Sequence, residues 1–154
     1  LDDYLAVYDD AAAELYDERV ALMPAFESLV DDLHGDDVAL ALVSSSPHRW
    51  IDRVLDRFDL RDAFDAVVSA DDVDAPGKPA PDVYETAAAR LDVDPTASVA
   101  IEDSEHGLAA ARAARMTAVA YRPTANADST FDHADVVADG PDELRTVLDE
   151  RRRP

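Results

Sequence analysis

Short apolar runs alternate with helical patterns along most of this 154-residue chain, and that alternation leaves few folds open. Val38 to Val43 is a continuous apolar stretch, too short to be a helix and without the polar alternation of a half-exposed strand. Such a run suits a strand covered on both faces, which requires helices on both sides of a parallel sheet. The spacing predicts a helix from Pro24 to His34-Gly35, a strand over 38–43, and a helix after Pro47 carrying Trp50, Ile51, Val54, Leu55 and Phe58. Further strands are expected over 64–69, 99–101, 117–121 and 134–138. Helices are expected from Pro81, over 107–114 and over 141–150. In parallel α/β sheets ligands gather at the carboxyl ends of the strands. That rule selects three places: Ser44 to Ser46, the loop holding Lys78, and Glu102-Asp103.

Composition narrows the setting. Thirty-five acidic residues face fourteen basic ones, for a net charge of -21. Self-repulsion of that size destabilises a compact chain in dilute salt, whereas molar salt shortens the Debye length to about 3 Å and screens it. A halophile's cytoplasm is the expected environment. Cysteine is absent, so no disulfide framework or thiolate chemistry is available. No apolar stretch approaches the ~20 residues of a membrane span, and no basic patch exists to meet nucleic acid. The start at Leu1, followed by Asp2 and Asp3, is unlike a secretory signal and reads as an internal point of a longer chain.

Each of the three strand ends offers a chemical and a structural reading. Ser44, with Ser45 and Ser46, stands where a hydroxyl and helix N–H groups can hold a phosphoryl oxygen, and also where a serine caps a helix. Lys78 lies in the stiff loop Pro76-Gly77-Lys78-Pro79-Ala80-Pro81 and is the single lysine in a chain otherwise served by arginine. A compact ammonium kept at one position points to a specific use. Glu102 and Asp103 are adjacent carboxylates at the end of an apolar run, hard oxygen donors of the type Mg2+ takes, or else Asp103 or Ser104 caps the next helix. His48 and Arg49 lie beside the serine cluster, where they could reach the phosphate of a substrate. His34, His48, His106 and His133 show no zinc spacing, and no Gly-x-Ser-x-Gly elbow is present.

Taken in order, Leu42-Val43-Ser44-Ser45-Ser46, Gly77-Lys78-Pro79-Ala80-Pro81-Asp82-Val83-Tyr84 and Ile101-Glu102-Asp103-Ser104 with Gly107 resemble the haloacid dehalogenase superfamily. The likeness is to its phosphatase and β-phosphoglucomutase-like branch. The resemblance implies a three-layer Rossmann-like parallel sheet over 21–154, with residues 1–20 as the closing helix of a helical cap. It implies that Ser44, Ser45, Ser46 and His48 meet the phosphate of a small phosphorylated metabolite. Lys78 would bridge nucleophile and phosphoryl group, and Glu102 and Asp103 would anchor Mg2+. The reaction implied is phosphoryl transfer through an aspartyl phosphate, ending in hydrolysis or, in a sugar-phosphate mutase, on a second hydroxyl.

One element of that family is not found. Its nucleophile and acid-base aspartates, two residues apart, end an apolar strand near the amino terminus, and no such strand precedes residue 20. Asp139-Gly140 follows an apolar run but fits the last strand-to-helix turn. The missing strand is expected to lie centrally, between the strands ending at Ser44 and at Glu102. Its loss would leave two buried edges to be filled by rearrangement, water or another molecule, with self-association through the gap as one outcome. A chain without the nucleophile is expected to be inactive by itself, and a non-catalytic phosphate- or partner-binding relic is the competing class.

Overall fold

The computed structural model describes residues 20–74, 76–123 and 130–152. The expected cap remnant at 1–20 lies, apart from Val20, outside the described residues. The described chain runs α1 (Phe26–Gly35), β1 (Ala41–Ser44), α2 (His48–Phe58), β2 (Ala66–Ser69), α3 (Asp82–Leu91), β3 (Val99–Glu102), α4 (Glu105–Ala113), β4 (Thr117–Arg122), β5 (Val136–Asp139) and α5 (Pro141–Arg152). Short 3-10 turns at Arg61–Ala63, Ala70–Asp72 and Pro95–Ala97 complete the connections.

Three strands start later than their apolar runs suggest, for a local reason. Asp65, just before β2, takes the Leu40 N–H on its carboxylate at 2.8 Å and gives its own N–H to the Leu40 carbonyl at 2.8 Å. Asp135, just before β5, does the same to Ala118, at 2.8 Å in both directions. A carboxylate thus replaces a ladder bond, and regular pairing begins only at Ala41, Ala66 and Val136. The end of α1 also differs from expectation. Gly35 is its last helical residue, and the left-handed position falls on Asp37 (φ 56°). A short polar side chain tolerates that conformation better than most.

All strand pairing is parallel, but the strands form two sheets, β1-β2 and β3-β4-β5, rather than one. Ala41 pairs with Ala66 and Ser44 with Ser69 in the first; Val99 pairs with Thr117, and Val119 with Val136, in the second. The break falls between β1 and β3, the two strands expected to flank a missing central one. Burial agrees with the break: all four residues of β1 are only half-buried, and Ile101 in β3 is 43% exposed. A parallel strand with both neighbours and both faces covered would bury them.

Helices nevertheless hold the two sheets together from one face. A single core cluster contains Val68 of β2, Ala100 of β3 and Ala118 of β4, along with Val83, Tyr84 and Ala87 of α3 and Leu108 and Ala111 of α4. On the opposite face α1 and α5 pack Leu29, Leu33, Leu144 and Leu148 against Val119 and Ala138. Ile51 and Leu55 of α2 close a third cluster with Leu60. Apolar layers on both faces of β4 explain why Ala118, Val119 and Ala120 are fully buried.

Hydrogen exchange by NMR checks this division. The amides of β4, paired on both sides, should exchange most slowly, while those of β1 and β3 that point away from β2 and β4 should exchange about two orders of magnitude faster. Equal protection of the two sets would mean that the two edges are covered.

Candidate active site

The carboxyl ends of β1 and β3 open on a cavity of about 440 Å³ lined by Ser44, Ser45, Ser46, Lys78, Glu102 and Asp103, with Val43, Ile101, Ser104 and Tyr121. Three separate stretches of sequence therefore meet at one place, at the strand ends where ligands of α/β sheets bind. Of the residues selected from sequence, only His48 and Arg49 are not on that lining.

Lys78 is delivered by the geometry of its loop. Gly77 sits at φ 80°, a left-handed conformation that favours glycine, and its carbonyl accepts the Ala80 N–H at 2.9 Å. The turn aims Lys78 across the break between the sheets. Its ammonium donates to the Val43 carbonyl of β1 at 3.4 Å and forms an ion pair with Glu102 of β3, where both side chains are about nine-tenths buried. It also lies 5.1 Å from the ring centroid of Tyr84, in the range of a cation–π contact.

Tyr84, in the first turn of α3, is a residue at this site that the sequence reading left as part of a motif string and a helix face. Its buried hydroxyl donates to the same Glu102 oxygen that Lys78 engages. Burial, with the adjacent Glu102 charge, pushes the phenol well above its usual range, so the hydroxyl keeps its proton and remains a donor. The available signal was partial: an aromatic hydroxyl on the inner face of a helix needs a polar partner, but the sequence does not say that this partner is Glu102.

The other Glu102 oxygen accepts from the Ser104 hydroxyl at 3.4 Å. It rests in the space left by Gly107, where an added Cβ would stand 2.0 Å from it. Gly107 thus serves a close approach of side chain to helix. The helix cap itself is Ser104, which accepts the Gly107 N–H at 3.1 Å. That settles one open reading, because Asp103 at the cavity rim is not the cap of α4. A second is settled at Ser44: α2 has no side-chain cap, and the Ser44 hydroxyl instead accepts the Ser46 N–H at 3.1 Å.

His48 is placed differently from expectation. Its Nε2 lies 3.0 Å from both carboxylate oxygens of Asp72, and its backbone N–H donates to Asp71 at 3.3 Å. Asp72 also accepts the Ser69 N–H at 2.8 Å and a bond from Arg90 at 3.3 Å. Those donors, the Ser69 N–H foremost and then His48, hold the Asp72 carboxyl well below the usual range.

For Mg2+ the residues offer the right chemistry in an incomplete set. The ion takes six hard oxygens in octahedral array. Asp103 and Glu102 supply carboxylates at the cavity, with Glu102 already engaged by Lys78 and Tyr84. No group of three or more His, Asp or Glu side chains able to hold a metal occurs among the described residues.

The chain is similar to known proteins in sequence and in fold. The family model of the haloacid dehalogenase-like hydrolases matches residues 1–121. Hexitol phosphatase B of Escherichia coli is 40% identical over 126 residues, which cover 81% of this chain and 56% of that protein. β-Phosphoglucomutase of Bacillus subtilis is 41% identical over 98 residues, covering 64% of this chain and 42% of that protein. The solved structure of a HAD phosphatase from Thermococcus onnurineus superimposes with a TM-score of 0.78 at 30% identity, over 91% of this chain and 64% of that one. The chain thus spans about half the length of the curated relatives it matches.

Three substitutions test how the site is held. Lys78→Met should destabilise the fold by about 3–5 kcal/mol, because it strands a buried Glu102 charge. Adding Glu102→Gln should restore much of that loss, and denaturant unfolding of the double-mutant cycle measures the coupling. Additive effects would show that the two side chains do not interact. Gly107→Ala should displace the Glu102 carboxylate from Lys78 and Tyr84, seen as a shift of the Tyr84 ring resonances with α4 intact by circular dichroism.

Proposed function

The chain belongs to the haloacid dehalogenase-like hydrolases, and on that premise we propose that it carries the phosphoryl-handling half of a Mg2+-dependent phosphatase acting on a small phosphorylated metabolite. The observation that supports this most is the convergence of Ser44, Lys78 and Asp103 on one cavity at the carboxyl ends of β1 and β3.

Each residue has a task in that reading. The Ser44 hydroxyl, whose lone pair is taken by the Ser46 N–H, keeps its own proton to donate to a phosphoryl oxygen. The Lys78 ammonium, fixed between Val43 and Glu102, offsets negative charge as it builds on the transferring group. Tyr84 donates to the Glu102 oxygen that Lys78 engages and so fixes the carboxylate against which the ammonium rests. Asp103, with Glu102, would hold Mg2+, which when bound shields the phosphate's charge from an anionic nucleophile.

The nucleophile is an aspartate delivered between β1 and β3, on a strand that would complete the sheet. Among the described residues the cavity lining contains no acidic side chain besides Glu102 and Asp103. That same observation favours a second reading, a non-catalytic phosphate binder, for the chain by itself. Transfer to a second hydroxyl, as in a mutase, uses the same residues here and differs only in the acceptor. Molar KCl screens the self-repulsion of a net charge of -21, so the assay is run in that medium.

The test is a titration of inorganic phosphate followed by ³¹P NMR, with and without Mg2+. Phosphate should bind this chain, Mg2+ should tighten binding, and Asp103→Asn should remove the Mg2+ effect while leaving the fold unchanged. Indifference to Mg2+ would sink the metal-dependent reading. Turnover of a phosphate monoester, measured on the same samples, separates enzyme from binder. Release of phosphate would assign a nucleophile within the chain, and binding without release would favour the second reading.

A further inference from the structure

Among the described residues, Ser69 is the one polar residue that is buried as a whole, with no exposed surface. It ends β2 in register with Ser44, which ends β1. Its hydroxyl donates to the Ser46 carbonyl at 2.8 Å and accepts the Asp71 N–H at 3.1 Å. The Ser69 N–H goes to Asp72 at 2.8 Å. Asp72 in turn takes the His48 ring at 3.0 Å and Arg90 at 3.3 Å, and Arg90 also donates to the Val67 carbonyl. Asp71 receives the His48 N–H at 3.3 Å.

These bonds form one connected path. It starts on α3 at Arg90, crosses the 3-10 turn after β2, and reaches the loop after β1 at Ser46 and the start of α2 at His48. One residue separates Ser44 from Ser46 and three separate it from His48, and the Ser46 N–H is itself bonded to the Ser44 hydroxyl at 3.1 Å. A buried hydroxyl left without partners is costly, so the shape of the loop and the end of β2 are coupled.

We infer that Ser69 and Asp72 are positioning residues for phosphate, holding the Ser44–Ser46 loop in the shape that presents the Ser44 hydroxyl to the cavity. They touch no ligand themselves and act through Ser46 and His48. His48 on this account is a strut between the loop and Asp72 rather than a phosphate ligand. The inference rests on the reading of Ser44 as a phosphoryl-binding hydroxyl.

The experiment measures the affinity of the whole chain for inorganic phosphate by ³¹P NMR, alongside thermal melting. Ser44→Ala first establishes the binding reading by weakening phosphate binding. Ser69→Ala and Asp72→Ala should each weaken it about tenfold, the effect of losing one well-placed hydrogen bond. The double variant Ser44→Ala with Ser69→Ala should bind no more weakly than Ser44→Ala alone, since Ser69 acts through Ser44. Leu148→Ala, in the remote cluster between α5 and the second sheet, should lower the melting temperature without moving phosphate affinity. If Ser69→Ala does not fold, Asp72→Asn, at the solvent side of the path, carries the comparison.

Unchanged affinity in the Ser69 and Asp72 variants, with Ser44→Ala still weakening binding, would overturn the inference and leave the phosphate reading standing. Additive losses in the double variant would also overturn it. Binding indifferent to Ser44→Ala would remove both.

Discussion

The contact between Lys78 and Glu102 does more than pair two charges. Lys78 reaches it from a loop beyond β2, and on the way its ammonium bonds the Val43 carbonyl of β1, so the interaction ties the end of one sheet to the end of the other. Both side chains are largely buried, where a lone charge costs several kcal/mol and a satisfied pair is close to neutral. The pair therefore contributes position more than stability. Tyr84 completes it with a buried hydroxyl, Gly107 makes room for the carboxylate, and Gly77 allows the turn that sends the lysine there.

The helices on one face make that arrangement possible. α3 and α4 share a core cluster that includes residues of both sheets, so β1 and β3 are held near one another although no ladder joins them. The open edges and the half-buried residues of β1 mark the same region as the cavity lining. Among the described residues the open strand edges and the cavity thus lie at one place, between the strands that carry Ser44 and Glu102. A carboxylate-bearing strand seated there would finish the sheet and the proposed chemistry together.

Much of this was legible in residues alone. The apolar runs located the strands to within two or three residues, and the rule that ligands meet strand ends selected Ser44, Lys78, Glu102 and Asp103 before any coordinates. Boundaries were missed where a side chain replaced a backbone partner, as at Asp65 and Asp135, because a ladder bond made by a carboxylate leaves no mark in hydrophobic periodicity. His48 was drawn to the phosphate by proximity in sequence, yet Asp72, twenty-four residues away, holds its ring.

What the sequence by itself determined is the class of fold, the strand ends whose residues meet at one cavity, and the lack of an Asp-x-Asp motif before the first strand. Those follow from residue type, period and order, which are local properties. Only the tertiary structure decided that Ser104 and not Asp103 caps α4, that Glu102 is locked by Lys78 and Tyr84, that Ser69 supports the serine loop, and that the sheet divides between β1 and β3. Each depends on which distant groups compete for one donor or acceptor, and that competition exists only once packing has brought them together.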